Sequence, residues 1–140
     1  MRGMLNMAKF ASPLFDVRML PYRVLIVNDA PIISLGLDRQ LRRWGFQHIT
    51  IVTSGQAALR AAAHQHPDLV VMAANLPGIP GSLETARRLQ QATPVDFLLL
   101  QNADDEDAQT MSPYRLVPNP PTVAELRAGV AEYLHQGVPV

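Results

Sequence analysis

The chain has 140 residues, 48% hydrophobic and 17% charged, with no formal net charge at pH 7; that suits one globular domain, excludes a disordered segment, and gives no electrostatic reason to bind nucleic acid. It has no cysteine, which excludes disulfides, thiolate metal sites and a cysteine nucleophile and fits a cytoplasmic protein. All its basic residues but one are Arg, and the single lysine is Lys9, so no mechanism can call on a lysine in the body of the fold.

Residues 1–20 read as an arm ahead of the domain, with residues 21–136 as the body and 137–140 as a tail. Met1, Met4, Met7 and Met19 could each be a start. The arm is basic at Arg2, Lys9 and Arg18, but lacks the apolar core of roughly 7–15 residues and the cleavage site of a secretory signal. Met4, Met7, Phe10 and Leu14 recur at helical spacing, with Pro13 interrupting. The arm is either mobile or packed on the domain or a neighbouring chain. No apolar run approaches the ~18 residues of a membrane span.

From Tyr22 the pattern alternates. Arg23–Val27 is a β-branched apolar run and reads as a buried strand. Pro31–Trp44 reads as a helix, with Pro31 in its first turn and Asp29 or Ala30 at its cap. Ile33, Leu37, Leu41 and Trp44 share one face, and Gly45 ends it. His48–Val52 is the second strand. Ser54 caps a helix from Gln56 to His64. Leu69–Met72 is the third strand. Ser82–Gln91 is the third helix, with Leu83, Ala86 and Leu89 inward. Val95–Leu100 is a fourth strand, continuously apolar after Asp96 and so central.

Gln101 to Pro121 is the least regular stretch. Asp104, Asp105, Glu106 and Asp107 open a short helix, since carboxylates suit a helix N-terminus. Arg115–Val117 is a brief strand. Pro113, Pro118, Pro120 and Pro121 prevent a long helix there. Thr122 and Glu125 form a capping box for a last helix, Val123 to Leu134.

Strand and helix thus alternate about five times, which predicts an α/β fold: a doubly wound, five-stranded parallel sheet with helices on both faces. The expected strand order is 2-1-3-4-5, the flavodoxin-like arrangement. Its crevice lies at the carboxyl ends of strands 1 and 3, where Asn28-Asp29 and Ala73-Ala74 stand.

At these residues the chain resembles the receiver domain of bacterial two-component response regulators, over residues 22 to about 134. RVLIVND is similar to the first strand and acidic pocket. PDLVVMAANLPGIPG is similar to the third strand and its Leu-Pro-Gly turn. NPPTVAEL resembles the lysine–proline turn into the last helix. DAPIISLGL is similar to the opening of those receivers that precede a helix-turn-helix DNA-binding domain. Each motif alone is weak; three in order, at the right spacing, are strong.

The resemblance implies phosphoryl transfer from a histidine kinase to an aspartate at the end of strand 3. Two acidic residues after strand 1 help hold Mg²⁺, and a hydroxyl after strand 4 and a lysine after strand 5 bind the phosphoryl oxygens. This chain departs at nearly every position. The phosphoacceptor position is Ala73. The acidic pair is Asn28-Asp29. The hydroxyl position is Gln101, and the lysine position is Asn119. The switch aromatic falls near Leu116.

Nothing nearby takes over. Asp68 opens strand 3, and five residues at about 3.3 Å each put it roughly 16 Å from the pocket. Asn75 is a poor nucleophile; its carbonyl with one carboxylate is a poor Mg²⁺ site. Asp104 to Asp107 read as solvated capping residues. His48, His64, His66 and His135 lack metal spacing. Gly78 to Gly81 is a turn, and no nucleotide-binding glycine motif follows a strand. Ser34 and Ser54 lack a base. Trp44 reads as core. Arg42-Arg43 and Arg87-Arg88 read as solvated helix faces.

The expectation is a pseudo-receiver: a signalling domain without enzymatic activity, cofactor or metal, with a degenerate phosphorylation pocket of Asn28, Asp29, Ala73, Asn75, Gln101 and Asn119. It would act in the cytoplasm on a protein partner or a second copy of itself, and on neither nucleic acid nor membrane. The receivers it resembles commonly pair through the fourth helix, fifth strand and last helix; here the stretch before the last helix is short and proline-rich, so that face is expected to be altered, and the first and last helices are an alternative surface. Two other readings stand beside it: the regulatory N-terminal half of a helix-turn-helix DNA-binding response regulator, and a small-molecule sensor using the vacated pocket.

Overall fold

The computed structural model describes residues 22–102 and 115–137. Apolar runs make the strands β1 (Arg23–Val27), β2 (His48–Val52), β3 (Leu69–Ala73), β4 (Asp96–Gln101) and β5 (Arg115–Pro118). Amphipathic runs make the helices α1 (Pro31–Arg43), α2 (Gly55–Gln65), α3 (Ser82–Ala92) and α4 (Val123–Gly137). The strands pair in parallel in the order β2-β1-β3-β4-β5, as expected.

Two packed layers explain the continuous hydrophobicity of the inner strands, since a parallel sheet is covered on both faces. Alternate strand residues point to opposite sides. Val24, Ile26, Val71, Leu98 and Leu100 meet Leu37, Leu41 and Trp44 from the α1 side and Leu126 and Val130 of α4. Leu25, Val27, Val70, Met72 and Leu99 meet Ala58 and Ala62 of α2 and Ala86 and Leu89 of α3. The alanine-rich α2 lets its backbone lie close to the sheet.

Local chemistry fixes the helix starts. The Ser54 hydroxyl accepts the Ala57 N–H at 3.1 Å. Thr122 and Glu125 cap reciprocally, at 2.9 and 3.1 Å, as the sequence spacing predicts. Ala30 occupies the α1 cap without a side-chain bond, and Pro31 fills the first position, where no N–H is needed. Gly55 permits a close approach: a Cβ there would collide with Thr85 Oγ1 and lie 2.6 Å from the Pro80 carbonyl. That contact brings the start of α2 onto α3 and the loop before it.

Several boundaries differ from the expectation. β3 runs one residue further, to Ala73, and β4 spans Asp96–Gln101 instead of Val95–Leu100. Ladder pairing carries both strands past the apolar run, with Ala73 opposite Leu100 and Gln101 opposite Pro118. α1 stops at Arg43, with Trp44 as its cap residue. α2 starts at Gly55, and α4 continues to Gly137. The expected arm, the helix opened by Asp104 to Asp107, and Pro113 lie outside the described residues. Among the described residues no helix is long and apolar enough to cross a membrane.

Candidate functional site

The parallel topology gathers the residues after each strand at one end of the sheet. β1 lies between β2 and β3, and the chain leaves β1 for the α1 face and β3 for the α3 face, so a crevice opens between the ends of β1 and β3. Val27 pairs with Met72, and Asn28 and Ala73 follow at the ends of these adjacent strands.

Asn28 is 2% exposed. Its N–H donates to the Val52 carbonyl at 3.1 Å. Its side-chain Oδ1 accepts the Ala30 N–H at 2.9 Å, the local turn that asparagine favours. Its Nδ2 has no hydrogen-bond partner among the described residues. Ser34, beneath it, places its hydroxyl 3.5 Å from the Asn28 carbonyl. Asp29 is exposed at the mouth.

Ala73 is also 2% exposed and offers only a methyl group. Its carbonyl accepts a hydrogen bond from Ser82 Oγ at 2.7 Å. The same hydroxyl accepts the Leu76 N–H at 2.8 Å. Ala74 N–H donates to the Leu100 carbonyl at 2.7 Å. The β3–α3 loop is therefore pinned at both ends, with Asn75 exposed on it. Sequence reasoning missed Ser82. The only available signal was a serine on the first turn of a helix with no capping task of its own.

Gln101 closes β4, half-buried, and its carbonyl accepts the Asn119 N–H at 3.0 Å. Asn119 Nδ2 donates to Asn102 Oδ1 at 2.9 Å, while Asn119 Oδ1 is buried without a partner among the described residues. Asn102, a second residue that sequence reasoning missed, thus ties the ends of β4 and β5 together. All six expected pocket positions lie at the carboxyl end of the sheet. Asp68 lies at the opposite end, where its Oδ2 accepts the Arg23 N–H at 2.8 Å, as its place in the strand predicts.

The donor set does not fit a divalent cation. The Asn28 oxygen is committed to Ala30, and its remaining group is an NH₂, which repels a cation. Asp29 is the one carboxylate among the six positions, whereas Mg²⁺ demands near-octahedral oxygen ligation. Among the described residues no three His, Asp or Glu side chains gather into a metal site. A Mg²⁺ titration followed by NMR is expected to show affinity no tighter than millimolar at this pocket. Micromolar affinity there would require ligands beyond these residues.

Of the other side chains singled out in the sequence, the His135 side chain lies outside the described residues, and the following sit as expected. His48, His64 and His66 are exposed. Arg42 and Arg88 lie on exposed helix faces, paired with Asp38 and Glu84 at 3.0 and 2.9 Å. Trp44 is buried, and the Arg127 guanidinium lies 5.7 Å from its ring centre.

The chain matches the family described as response regulator receiver domain over residues 24–113. Transcriptional activator protein PfeR of Pseudomonas aeruginosa is 36% identical over 110 residues, covering 76% of this chain and 35% of that protein. Response regulator GacA of Pseudomonas viridiflava is 33% identical over 116 residues, covering 82% and 48%. The chain thus spans less than half the length of these relatives. Among solved structures, the signal receiver domain of an HD domain-containing protein from Pseudomonas fluorescens Pf-5 superposes with a TM-score of 0.73 at 22% identity, covering 81% of this chain and 94% of that one. The signal receiver domain of a modulated diguanylate cyclase from Desulfovibrio desulfuricans G20 gives 0.72 at 24% identity, covering 81% and 93%. At these identities the structures speak for the fold.

Proposed function

The chain belongs to the response regulator receiver domain family, and from that premise we propose that it is a pseudo-receiver, signalling by protein–protein contact without phosphorylation. The observation that carries this reading is Ala73. It ends β3, at the position where the receivers it resembles hold the phosphoacceptor aspartate. A methyl group has no lone pair to attack phosphorus and no oxygen to hold a metal.

The surrounding positions support the same reading. Asn28 replaces one of the two acidic residues. Gln101 stands where a hydroxyl would meet a phosphoryl oxygen, and Asn119 stands where a lysine would neutralise it. An amide donates weaker hydrogen bonds than an ammonium and carries no charge, so a phosphoryl group there would lack its main counter-charge. The domain then works as a binding module and not an enzyme, in the cytoplasm, on a protein partner or a second copy.

The direct test is intact mass after incubation with Mg²⁺ and acetyl phosphate or phosphoramidate. The expected spectrum is unchanged. A stoichiometric gain of one phosphoryl group would overturn the proposal.

A second reading is favoured by the similarity to transcriptional regulators whose length the chain spans by less than half. In it, the domain is the regulatory N-terminal half of a helix-turn-helix DNA-binding response regulator. The size of the native polypeptide, probed with an antibody to this domain, separates the two. A product longer by a DNA-binding domain favours the second reading; one of this chain's length favours the first.

A further inference from the structure

β2 is an edge strand: it pairs with β1 on one side, and no described residue pairs with it on the other. The Asn28 N–H donates to the Val52 carbonyl, so Val52 turns its backbone groups towards β1. Backbone groups alternate in direction along a strand, so His48 and Thr50 face β1 as well. Ile49 and Ile51 turn theirs outward, and each presents an N–H and a carbonyl with no partner among the described residues.

Proteins usually blunt such an edge with charge or proline. β5, at the other side of the sheet, is blunted in both ways: Arg115 pairs with Glu132, and Pro118 has no N–H to offer. β2 has neither device. No Asp, Glu, Lys or Arg stands between Arg43 and Arg60. Ile49 packs on the cluster beneath α1, and Ile51, two residues on, points to the same side and is 37% exposed. Leu35, 60% exposed, lies with Asp38 and Arg42 on one flank of α1. Arg42 Nη1 approaches the carbonyl of Gln47, the residue before β2, at 3.5 Å, so that flank is the one beside the edge.

The edge is complementary to itself. A two-fold axis normal to the sheet sets β2 antiparallel to a second β2, and facing residues then point to the same side. With the axis at Thr50, Ile49 of each copy faces Ile51 of the other. Every outward N–H then meets an outward carbonyl, and the isoleucines join in one apolar strip on the α1 side. Thr50 faces Thr50, a favourable cross-strand pair. His48 faces Val52, so no like charges meet. An axis at Ile49 or Ile51 would draw in Gln47 or Thr53, which lie outside β2. A foreign strand would need the same length and spacing of donors; a second copy has both by identity.

We propose that two copies of this domain pair antiparallel through β2 and continue the sheet across a two-fold axis at Thr50. As a signalling contact the pairing rests on the pseudo-receiver reading, since it forms without a phosphoryl group. A domain that gains a phosphoryl group yet pairs without one overturns that reading and not this proposal.

The absence of cysteine allows a cross-link to be placed at the axis of the full chain. Facing residues of a non-hydrogen-bonded antiparallel pair have Cα atoms about 4.5 Å apart, within the reach of a disulfide. Thr50→Cys is expected to oxidise to a covalent dimer, whereas Val123→Cys, exposed at the start of α4, is expected to stay monomeric. Sedimentation of the natural chain is expected to show a mass that rises with concentration to twice that of one chain. Exchange of the Ile49 and Ile51 amides is expected to slow by about tenfold or more as the dimer forms. Ile51→Lys, which places a charge on the open edge, is expected to keep the melting temperature and remain monomeric. A natural chain that stays monomeric, a dimer that survives Ile51→Lys, or a cross-link at Val123→Cys in preference to Thr50→Cys would each overturn the proposal. So would slow exchange of both amides in a monomeric chain, because the edge would then be covered from within.

Discussion

Ser82→Ala is expected to lower the melting temperature by roughly 10 °C, a large effect for the removal of one oxygen atom. The hydroxyl is 5% exposed and serves two backbone groups at once, donating to the Ala73 carbonyl and accepting from the Leu76 N–H. Alanine leaves both without partners in a buried site. Each such group costs about 1–3 kcal/mol, so the pair comes to about 2–4 kcal/mol after partial relaxation. Ser34→Ala is the internal comparison. Ser34 is as buried, but its one contact, to the Asn28 carbonyl, is 3.5 Å long. A bond at that distance is weak, and its loss is expected to cost under about 1 kcal/mol. Thermal melts of both variants, with hydrogen exchange at the Leu76 amide, check the argument. Equal melting temperatures, or an unchanged Leu76 amide, would show that the serine does not hold the loop.

The same pair of bonds marks the limit of what the sequence makes legible. The parallel sheet followed from continuous apolar runs separated by helical ones, because only a sheet covered on both faces buries such runs; its strand order was that of the flavodoxin-like arrangement. The capping box was legible because its two partners are three residues apart. Strand ends were less so. Alanine fits the end of a strand and the start of a turn equally well, so nothing in the apolar pattern placed Ala73 within β3. Gln101 is polar and still belongs to β4, because its backbone pairs with β5 whatever its side chain. The pocket positions came from the resemblance to receiver domains, which set them at the strand ends. Their hydrogen bonds were not. Ser82 reaches back nine residues to Ala73, and Asn119 reaches seventeen to Asn102. Those partners are chosen by the loops' path in space, and no local pattern encodes them.

Ala73→Asp is expected to fold, to melt lower than the natural protein and to gain no working switch. The position is 2% exposed, and burying a carboxylate there costs on the order of 1–3 kcal/mol. Asp29 stands at the end of the neighbouring strand, and two carboxylates in one crevice repel. The Asn28 NH₂ is a buried donor without a partner among the described residues, and it offsets part of this cost without supplying charge. With no lysine in the body of the fold, no ammonium is at hand. The pH dependence has a definite sign. Burial and repulsion raise the folded-state pKa of the new carboxyl above its unfolded value of about 3.9, so the folded variant binds the proton more tightly. The deficit is therefore complete above the raised pKa and shrinks as pH falls through it towards the unfolded value. Melts of both proteins at pH 8 and pH 5 are expected to differ more at pH 8. Phosphodonor is expected to leave the variant's oligomeric state unchanged, because Gln101 and Asn119 carry no charge with which to neutralise a phosphoryl group and draw it in. A higher melting temperature for Ala73→Asp, or a change of assembly with phosphodonor, would mean that the crevice is still wired to the surface, and that the alanine silences a working receiver instead of completing the loss of one.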